Sequence, residues 1–181
     1  LFYVIQEFNK KESYLGPDKV TSTDMGYIFE ELVRRFSESY NEEAGAHFTS
    51  RDIIYLMTDL LLAEDRDLLT GTGVVKTVYD QTMGTSQMLS AMIERIHGFN
   101  KDAEVRTFGQ ELNPETYAIA KSDTMIRGGD PDNMVLGSTL SNDGFPGYTF
   151  DYCISNPPFG IDWKKDKNAI QAEHERGENG R

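Results

Sequence analysis

The sequence predicts an α/β protein with a mostly parallel sheet, preceded by a helical segment, on three observations. From Val74 onward, short β-rich runs alternate with helix-patterned stretches, the rhythm of βαβ units. Before Val74, apolar residues recur at helical spacing. The last apolar run, Phe150-Asp151-Tyr152-Cys153-Ile154-Ser155, stops at Asn156-Pro157-Pro158-Phe159. Neither proline can donate a ladder hydrogen bond, so a strand ends in a rigid turn there.

In order along the chain, residues 1–20 are short, polar and interrupted by Gly16-Pro17, and read as a linker following the end of a helix. Met25, Ile28, Phe29, Leu32, Val33 and Phe36 then form one apolar stripe of an amphipathic helix, with Ser22, Thr23 or Asp24 as its cap. A polar loop leads to Ser50, the expected N-cap of a second helix with Ile53, Ile54, Met57, Leu60 and Leu61 on its apolar side. Leu62 to Gly73 is a charged connection. Val74 to Asp80 is the first strand, Gly84-Thr85-Ser86-Gln87 a turn, and Met88, Leu89, Met92, Ile93 and Ile96 mark the following helix. Glu104 to Gln110 is the second strand. Asn113-Pro114 opens the next helix, a cap residue followed by proline at the first helical position. Asn133 to Gly137 and Phe150 to Ser155 are the third and fourth strands, and the charged stretch from Lys164 reads as a mobile loop.

Composition sets the outer bounds. The 181 residues, 38% hydrophobic and 27% charged, suit one soluble domain or one with a small appendage. No apolar run approaches a membrane span, no signal peptide is visible, and a single cysteine, Cys153, fits a reducing compartment; a cytoplasmic location follows as an expectation. Cys153 lies in an apolar strand and is expected to be buried. The formal net charge of −12 gives no basic face in bulk, so any nucleic-acid binding is expected to be local or shared with partner subunits. The chain starts in mid-pattern at Leu1 and ends without a cap at Arg181, which reads as a fragment truncated at both ends.

Three places carry candidate chemistry. The turn after Asp80, with Gly84 and Thr85 at a helix N-terminus, is either a cofactor cradle or an ordinary βα connection. Glu111, just past the second strand, is either a ribose-binding carboxylate or a helix first-turn charge before the Asn113 cap. Asn156-Pro157-Pro158-Phe159 presents an amide, free carbonyls and an aromatic face at the carboxyl end of a strand, a set that suits a flat ring with an exocyclic amino group. The three histidines, His47, His97 and His174, form no ligand-spaced set, and no metal is expected.

Taken together these residues resemble the modification subunit of type I restriction-modification systems, an N6-adenine DNA methyltransferase family. Asn156-Pro157-Pro158-Phe159, extended by Gly160, matches the family's catalytic tetrapeptide. Phe108-Gly109-Gln110-Glu111-Leu112-Asn113-Pro114-Glu115-Thr116 resembles its second cofactor motif, and His47-Phe48-Thr49-Ser50-Arg51 its upstream phenylalanine-threonine-proline-arginine segment with Ser50 in place of proline. Phe29-Glu30-Glu31-Leu32 is similar to the stretch before it. The glycine-rich motif departs from the pattern: Asp80-Gln81-Thr82-Met83-Gly84-Thr85-Ser86-Gln87 lacks the proline and the two later glycines. Side chains at Ser86 and Gln87 are thereby expected beside the methionine moiety of S-adenosylmethionine, crowding it or bonding to it.

The resemblance implies a Rossmann-like S-adenosylmethionine-dependent methyltransferase sheet, of which only the first strands are present. It divides the chain into a helical segment and linker over residues 1–45 and a partial catalytic domain over residues 46–181. It implies methyl transfer from S-adenosylmethionine to adenine N6 in double-stranded DNA, with the adenine flipped out, in a complex with specificity (S) and restriction (R) subunits and no membrane. The catalytic set would be Asn156, Pro157, Pro158 and Phe159. The cofactor set would be His47, Phe48, Thr49, Arg51, Asp80, Gly84, Thr85, Ser86, Gln87, Glu111 and Ser138, the last near the adenine ring. A degenerate, non-catalytic subunit of the same fold, or a methyltransferase acting on RNA or protein, are the alternatives. A dinucleotide oxidoreductase is disfavoured, because no G-x-G-x-x-G follows the first strand.

Overall fold

The computed structural model describes residues 1–39, 49–160 and 162–175. Its centre is a four-stranded sheet of order β3-β2-β1-β4, in which every pairing is parallel. The strands are β1 (Val75–Asp80), β2 (Glu104–Glu111), β3 (Met134–Leu136) and β4 (Tyr152–Cys153). The chain builds outward from β1 to β2 and β3, then returns to the other side of β1 as β4. The β1–β4 boundary is thus the topological switch point, where open α/β sheets bind ligands beyond their strand ends.

The helices between these strands follow their sequence signals. α5 (Gln87–Phe99) buries Met88, Leu89, Met92 and Ile96 against β1 and β2. α6 (Pro114–Ile126) starts where the sequence reading puts it: the Asn113 side chain accepts from the backbone N–H groups of Glu115 and Thr116. Those donors would otherwise lack a partner, and such a cap contributes about 1 kcal/mol. Before the sheet come α1 (Phe2–Phe8), α2 (Ser22–Ser39), α3 (Arg51–Leu62) and the single turn α4 (Arg66–Leu69). α3 packs on α5, and Leu62 and Leu69 join Val78, Met92, Ile96 and Tyr152 in the core. α2 packs on α6 at Gly26, where a Cβ would lie 2.5 Å from Arg127 Cζ. Glu94 on α5 ties both leading helices down, accepting from Tyr27 Oη at 2.8 Å and Tyr55 Oη at 3.2 Å.

Several local expectations change. Residues 1–20 hold α1 and a short 3-10 turn at Lys11–Ser13 rather than linker alone. The cap of α2 is Thr21, one residue before the expected set: its Oγ1 accepts from Asp24 N, and Asp24 Oδ2 reaches back to Thr21 N at 2.9 Å, a reciprocal capping box. On α3 the buried stripe is Ile54, Thr58 and Leu62, while Ile53 and Leu60 are exposed, because the helix meets α5 along the i, i+4, i+8 line. Ser50 sits at the N-cap of α3 without a side-chain bond. The stretch from Lys164 contains a 3-10 turn and α7 (Lys167–Glu175), where a mobile loop was expected; Asp166 is buried there, accepting from Ser141 Oγ at 2.7 Å. Cys153 is exposed. Strand alternation puts Tyr152 and Ile154 in the core and turns Cys153 to the opposite face.

The opposite face of the sheet carries an aromatic cluster. Tyr79 stacks on Phe150 at 4.7 Å between ring centroids, and Phe108 meets Phe145 edge-on at 5.4 Å. Gln110, fully buried, holds the β3–β4 connection over that face: its Nε2 donates to Asn142 O and its Oε1 accepts from Gly144 N.

Candidate functional site

Because the sheet is parallel, Asp80, Glu111 and Asn156 arrive at one edge of it. The turn after β1 remains attached to β2. Met83 N donates to Gln110 O at 3.0 Å, and Met83 packs over Gly109, where a Cβ would collide with its sulfur. Gly84 follows at φ +54, a backbone conformation that glycine adopts without penalty. No atom comes within 4 Å of the Cβ it lacks, so the space above this turn is open to a ligand.

Glu111 closes the turn against α6. Its Oε2 accepts from Gly84 N at 3.0 Å and its Oε1 from Asn113 N at 2.7 Å. Glu111 thus stands beside the helix start, as one of its two sequence readings has it, and also faces the glycine turn. Each carboxylate oxygen has two acceptor positions, so one on each remains for a hydroxyl donor.

Asp80 is buried beneath the turn, with Oδ1 accepting from Thr82 N at 3.0 Å. Burial pushes its carboxyl up to about 7; the Thr82 N–H and the Ser155 hydroxyl favour the charged form, and the charge of Glu111 opposes it. Thr82 and Ser155 hydroxyls lie 2.6 Å apart. Ser155 directly precedes Asn156, so the turn after β1 and the turn after β4 are joined. Asn156 Nδ2 donates to Thr49 Oγ1 at 3.1 Å, which leaves its Oδ1 as an acceptor. Pro157 and Pro158 are exposed, and Phe159 is 95% exposed, its ring standing free at the rim of the site.

The remaining expected residues divide. Thr49 joins the site through Asn156. Arg51 lies over the Tyr27 ring at 5.0 Å, between α3 and α2. His47 and Phe48 lie outside the described residues. Ser138 follows β3, and its carbonyl accepts from Asn142 N at 2.8 Å; the neighbouring Thr139 is the residue that touches the turn, its Oγ1 donating to Gln81 O at 2.6 Å. Thr85 and Gln87 border a crevice shared with Phe29, Ile119 and Arg127, between α2, α5 and α6. Ser86 is not beside the open space, as expected, but is buried with its Oγ donating to Asp123 Oδ2 at 3.3 Å. Sequence reasoning missed Thr82, Thr139, Ser155 and Asp123, whose residue types carry no signal until the strands are in register.

No helix among the described residues is long and apolar enough to cross a membrane, and no group of three or more His, Cys, Asp or Glu there is arranged to hold a metal. The sheet order and the site at its switch point define an open, doubly wound Rossmann-like fold. A Listeria monocytogenes protein assigned to the class I S-adenosylmethionine-dependent methyltransferases shares that fold at TM-score 0.64, with 15% identity over 92% of this chain and 52% of its own. The chain belongs to the N-6 DNA methylase family, whose model matches residues 20–179. The methyltransferase subunit of a Streptococcus thermophilus type I restriction-modification system superposes at TM-score 0.62, with 26% identity over 82% of this chain and 30% of that one. The methylase subunit of the type I restriction enzyme MjaIX from Methanocaldococcus jannaschii is 27% identical over 96% of this chain and 29% of its own length. The corresponding MpnII subunit of Mycoplasma pneumoniae is 25% identical over 80% of this chain and 27% of its own. The chain thus spans under a third of the curated relatives it matches.

Proposed function

We propose that this chain forms the donor-binding and base-binding half of an adenine-N6 DNA methyltransferase, acting as the modification subunit of a type I restriction-modification complex. The observation that carries the reading is the meeting of the Gly84–Glu111 turn and Asn156 across the β1–β4 boundary, joined by Ser155 and Thr82. Residues 46–181 are assigned to the catalytic domain and residues 1–45 to a helical lead-in. Double-stranded DNA with a flipped adenine, specificity and restriction subunits, and a cytoplasmic setting complete the proposal.

S-adenosylmethionine fits the residues at hand: open space above Gly84, a carboxylate with acceptor capacity at Glu111, and the N-terminus of α5. When bound it supplies a methyl group on a sulfonium, activated for transfer. Glu111 would hold the ribose hydroxyls, the Gly84-Thr85 backbone would approach the methionine moiety, and Ser138 would lie on the adenine side. His47, Phe48 and Arg51 stay with this set through their motif, and Thr49 through its bond to Asn156.

The target N6 is a weak nucleophile, because its lone pair is delocalised into the ring. Asn156 Oδ1 and the Pro157 carbonyl accept its two hydrogens, which favours a pyramidal nitrogen with the lone pair free. Thr49 fixes which end of the Asn156 amide faces the base. Pro158 stiffens the turn, and Phe159 stacks on the base after it leaves the duplex. Most of the rate then comes from positioning and electrostatics.

The test is Asn156→Ala in the complete modification complex, reading labelled methyl incorporation into adenine of duplex DNA. Transfer is expected to fall by roughly a hundredfold or more while donor binding by calorimetry holds. Unchanged transfer would end the assignment, and incorporation into RNA or protein would redirect it.

A further inference from the structure

Among the described residues, Ser86 is the one non-glycine with positive φ, at φ +67 and ψ +17. That left-handed conformation is unfavourable for a residue that carries a side chain. It also lies where the chain leaves the Gly84 turn and enters α5, so the aim of the first α5 amides depends on it. Its backbone is fully engaged, with N donating to Met83 O at 2.8 Å and O accepting from Ser90 N at 3.0 Å.

The side chain explains how serine is kept there. Asp123, 5% exposed on the last turns of α6, accepts from Ser86 Oγ at 3.3 Å and Ser90 Oγ at 3.2 Å. Arg127 Nε meets both its oxygens, at 3.0 and 2.9 Å. Burial still pushes the Asp123 carboxyl up, against the pull of Arg127 and the two hydroxyls. A buried carboxylate near a helix C-terminus is unfavourable unless its lone pairs are filled. Here two hydroxyls from the start of a different helix, 37 and 33 residues away, meet Oδ2, and Arg127 Nε meets Oδ1 as well as Oδ2.

We propose that Asp123 is a positioning residue for the methyl donor: through Ser86 it clamps the left-handed entry to α5, a task that glycine would perform without a partner. The proposal rests on reading the Gly84 turn as the donor cradle. It implies that Ser86, Asp123 and Arg127 act as one unit, and that the side chain at Ser86 serves the backbone rather than the ligand.

Two substitutions separate geometry from the hydrogen bond. Ser86→Ala and Ser86→Gly both remove the Asp123 contact, but only glycine accepts φ +67 freely. Donor affinity, measured by calorimetry with S-adenosylmethionine, is expected to be about tenfold weaker in Ser86→Ala than in Ser86→Gly. Asp123→Ala should weaken binding about tenfold with Ser86 present and less than about twofold in the Ser86→Gly background. Hydrogen exchange of the 83–90 amides, measured without donor, should follow the same order. Equal behaviour of Ser86→Ala and Ser86→Gly, or an Asp123→Ala effect of the same size in both backgrounds, would overturn the clamp. Should the parent chain bind no S-adenosylmethionine, the donor reading falls, and the exchange contrast alone decides the clamp. If Asp123→Ala fails to fold, the parent against Ser86→Ala still decides it: both carry a Cβ at φ +67 and only serine bonds to Asp123, so equal affinity and equal exchange would overturn the clamp.

Discussion

The Ser155 hydroxyl lies 2.6 Å from the Thr82 hydroxyl and favours the charged form of the buried Asp80 carboxyl, so the turns after β1 and β4 share one joint. Losing it should be felt in stability. Ser155→Ala is expected to lower unfolding free energy by about 1 kcal/mol, read from the denaturant midpoint at constant slope. An unchanged midpoint would mean that the joint is not formed in solution.

Asp80 should give the fold a pH dependence whose sign follows from its burial. Its carboxyl sits at about 7 when folded against an ordinary value of 3.8, so between these values the folded state holds more protons than the unfolded one. Its favourable contribution is present near pH 4 and is lost as pH rises through about 7. The change is on the order of 3–4 kcal/mol over that window. Asp80→Asn keeps an acceptor for Thr82 N and should flatten the stability-versus-pH curve between pH 4 and 7. A slope that survives the substitution would assign it to other groups.

Glu111→Gln keeps a similar shape and one oxygen acceptor, sets an amide NH2 against either Gly84 N or Asn113 N, and removes the charge that on the proposed reading would face the ribose. Donor affinity is expected to fall about tenfold by calorimetry, the loss of one charge-assisted hydrogen bond. Glu111→Ala should lower the melting temperature further than Glu111→Gln, because Gly84 N and Asn113 N both lose their acceptor instead of one. If both variants bind the donor as the parent does, Glu111 is a structural bridge alone.

Phe159 is 95% exposed, so Phe159→Ala should change stability by less than about 0.5 kcal/mol. Methylation of DNA should nevertheless fall by the worth of one base–aromatic stack, about 1–3 kcal/mol in kcat/KM, with Phe159→Tyr restoring most of it. Equal activity of the alanine and tyrosine variants would remove the ring from the base site.

Cys153 should react with a thiol reagent in the native chain, without denaturant. Partial burial raises its thiol above the usual range, so the rate should be low at neutral pH and climb as the pH rises. Reaction only after unfolding would contradict its exposure.

What was legible in the sequence was whatever rests on local chemistry. Asn113-Pro114 located the start of α6 because cap and proline act within one turn. Asn156-Pro157-Pro158 marked the turn that follows β4 because proline forbids the ladder, but the strand itself is Tyr152–Cys153 and not the expected Phe150–Ser155. Alternation failed as a guide to burial at Cys153, since an apolar run does not say which of its faces meets the core. The α2 cap fell on Thr21 rather than its three polar successors because reciprocity with Asp24 decides among adjacent candidates. Thr82, Ser155 and Asp123 could not be found, because their partners lie 73 and 37 residues distant and meet only through the sheet and helix packing.

The two halves of the site hang from strands of unequal grip. β1 pairs with β2 along six residues, whereas β4 holds β1 through Tyr152 and Cys153, continued by Ile154 N to Tyr79 O. The rest of that grip is made by side chains: Asp151 Oδ2 accepts from Thr77 N and Thr77 Oγ1 before the paired residues, and the Ser155 hydroxyl meets that of Thr82 after them. On the proposed reading, the half that aims the methyl group is therefore fastened by backbone and the half that receives the base largely by side chains, which substitution can remove one at a time.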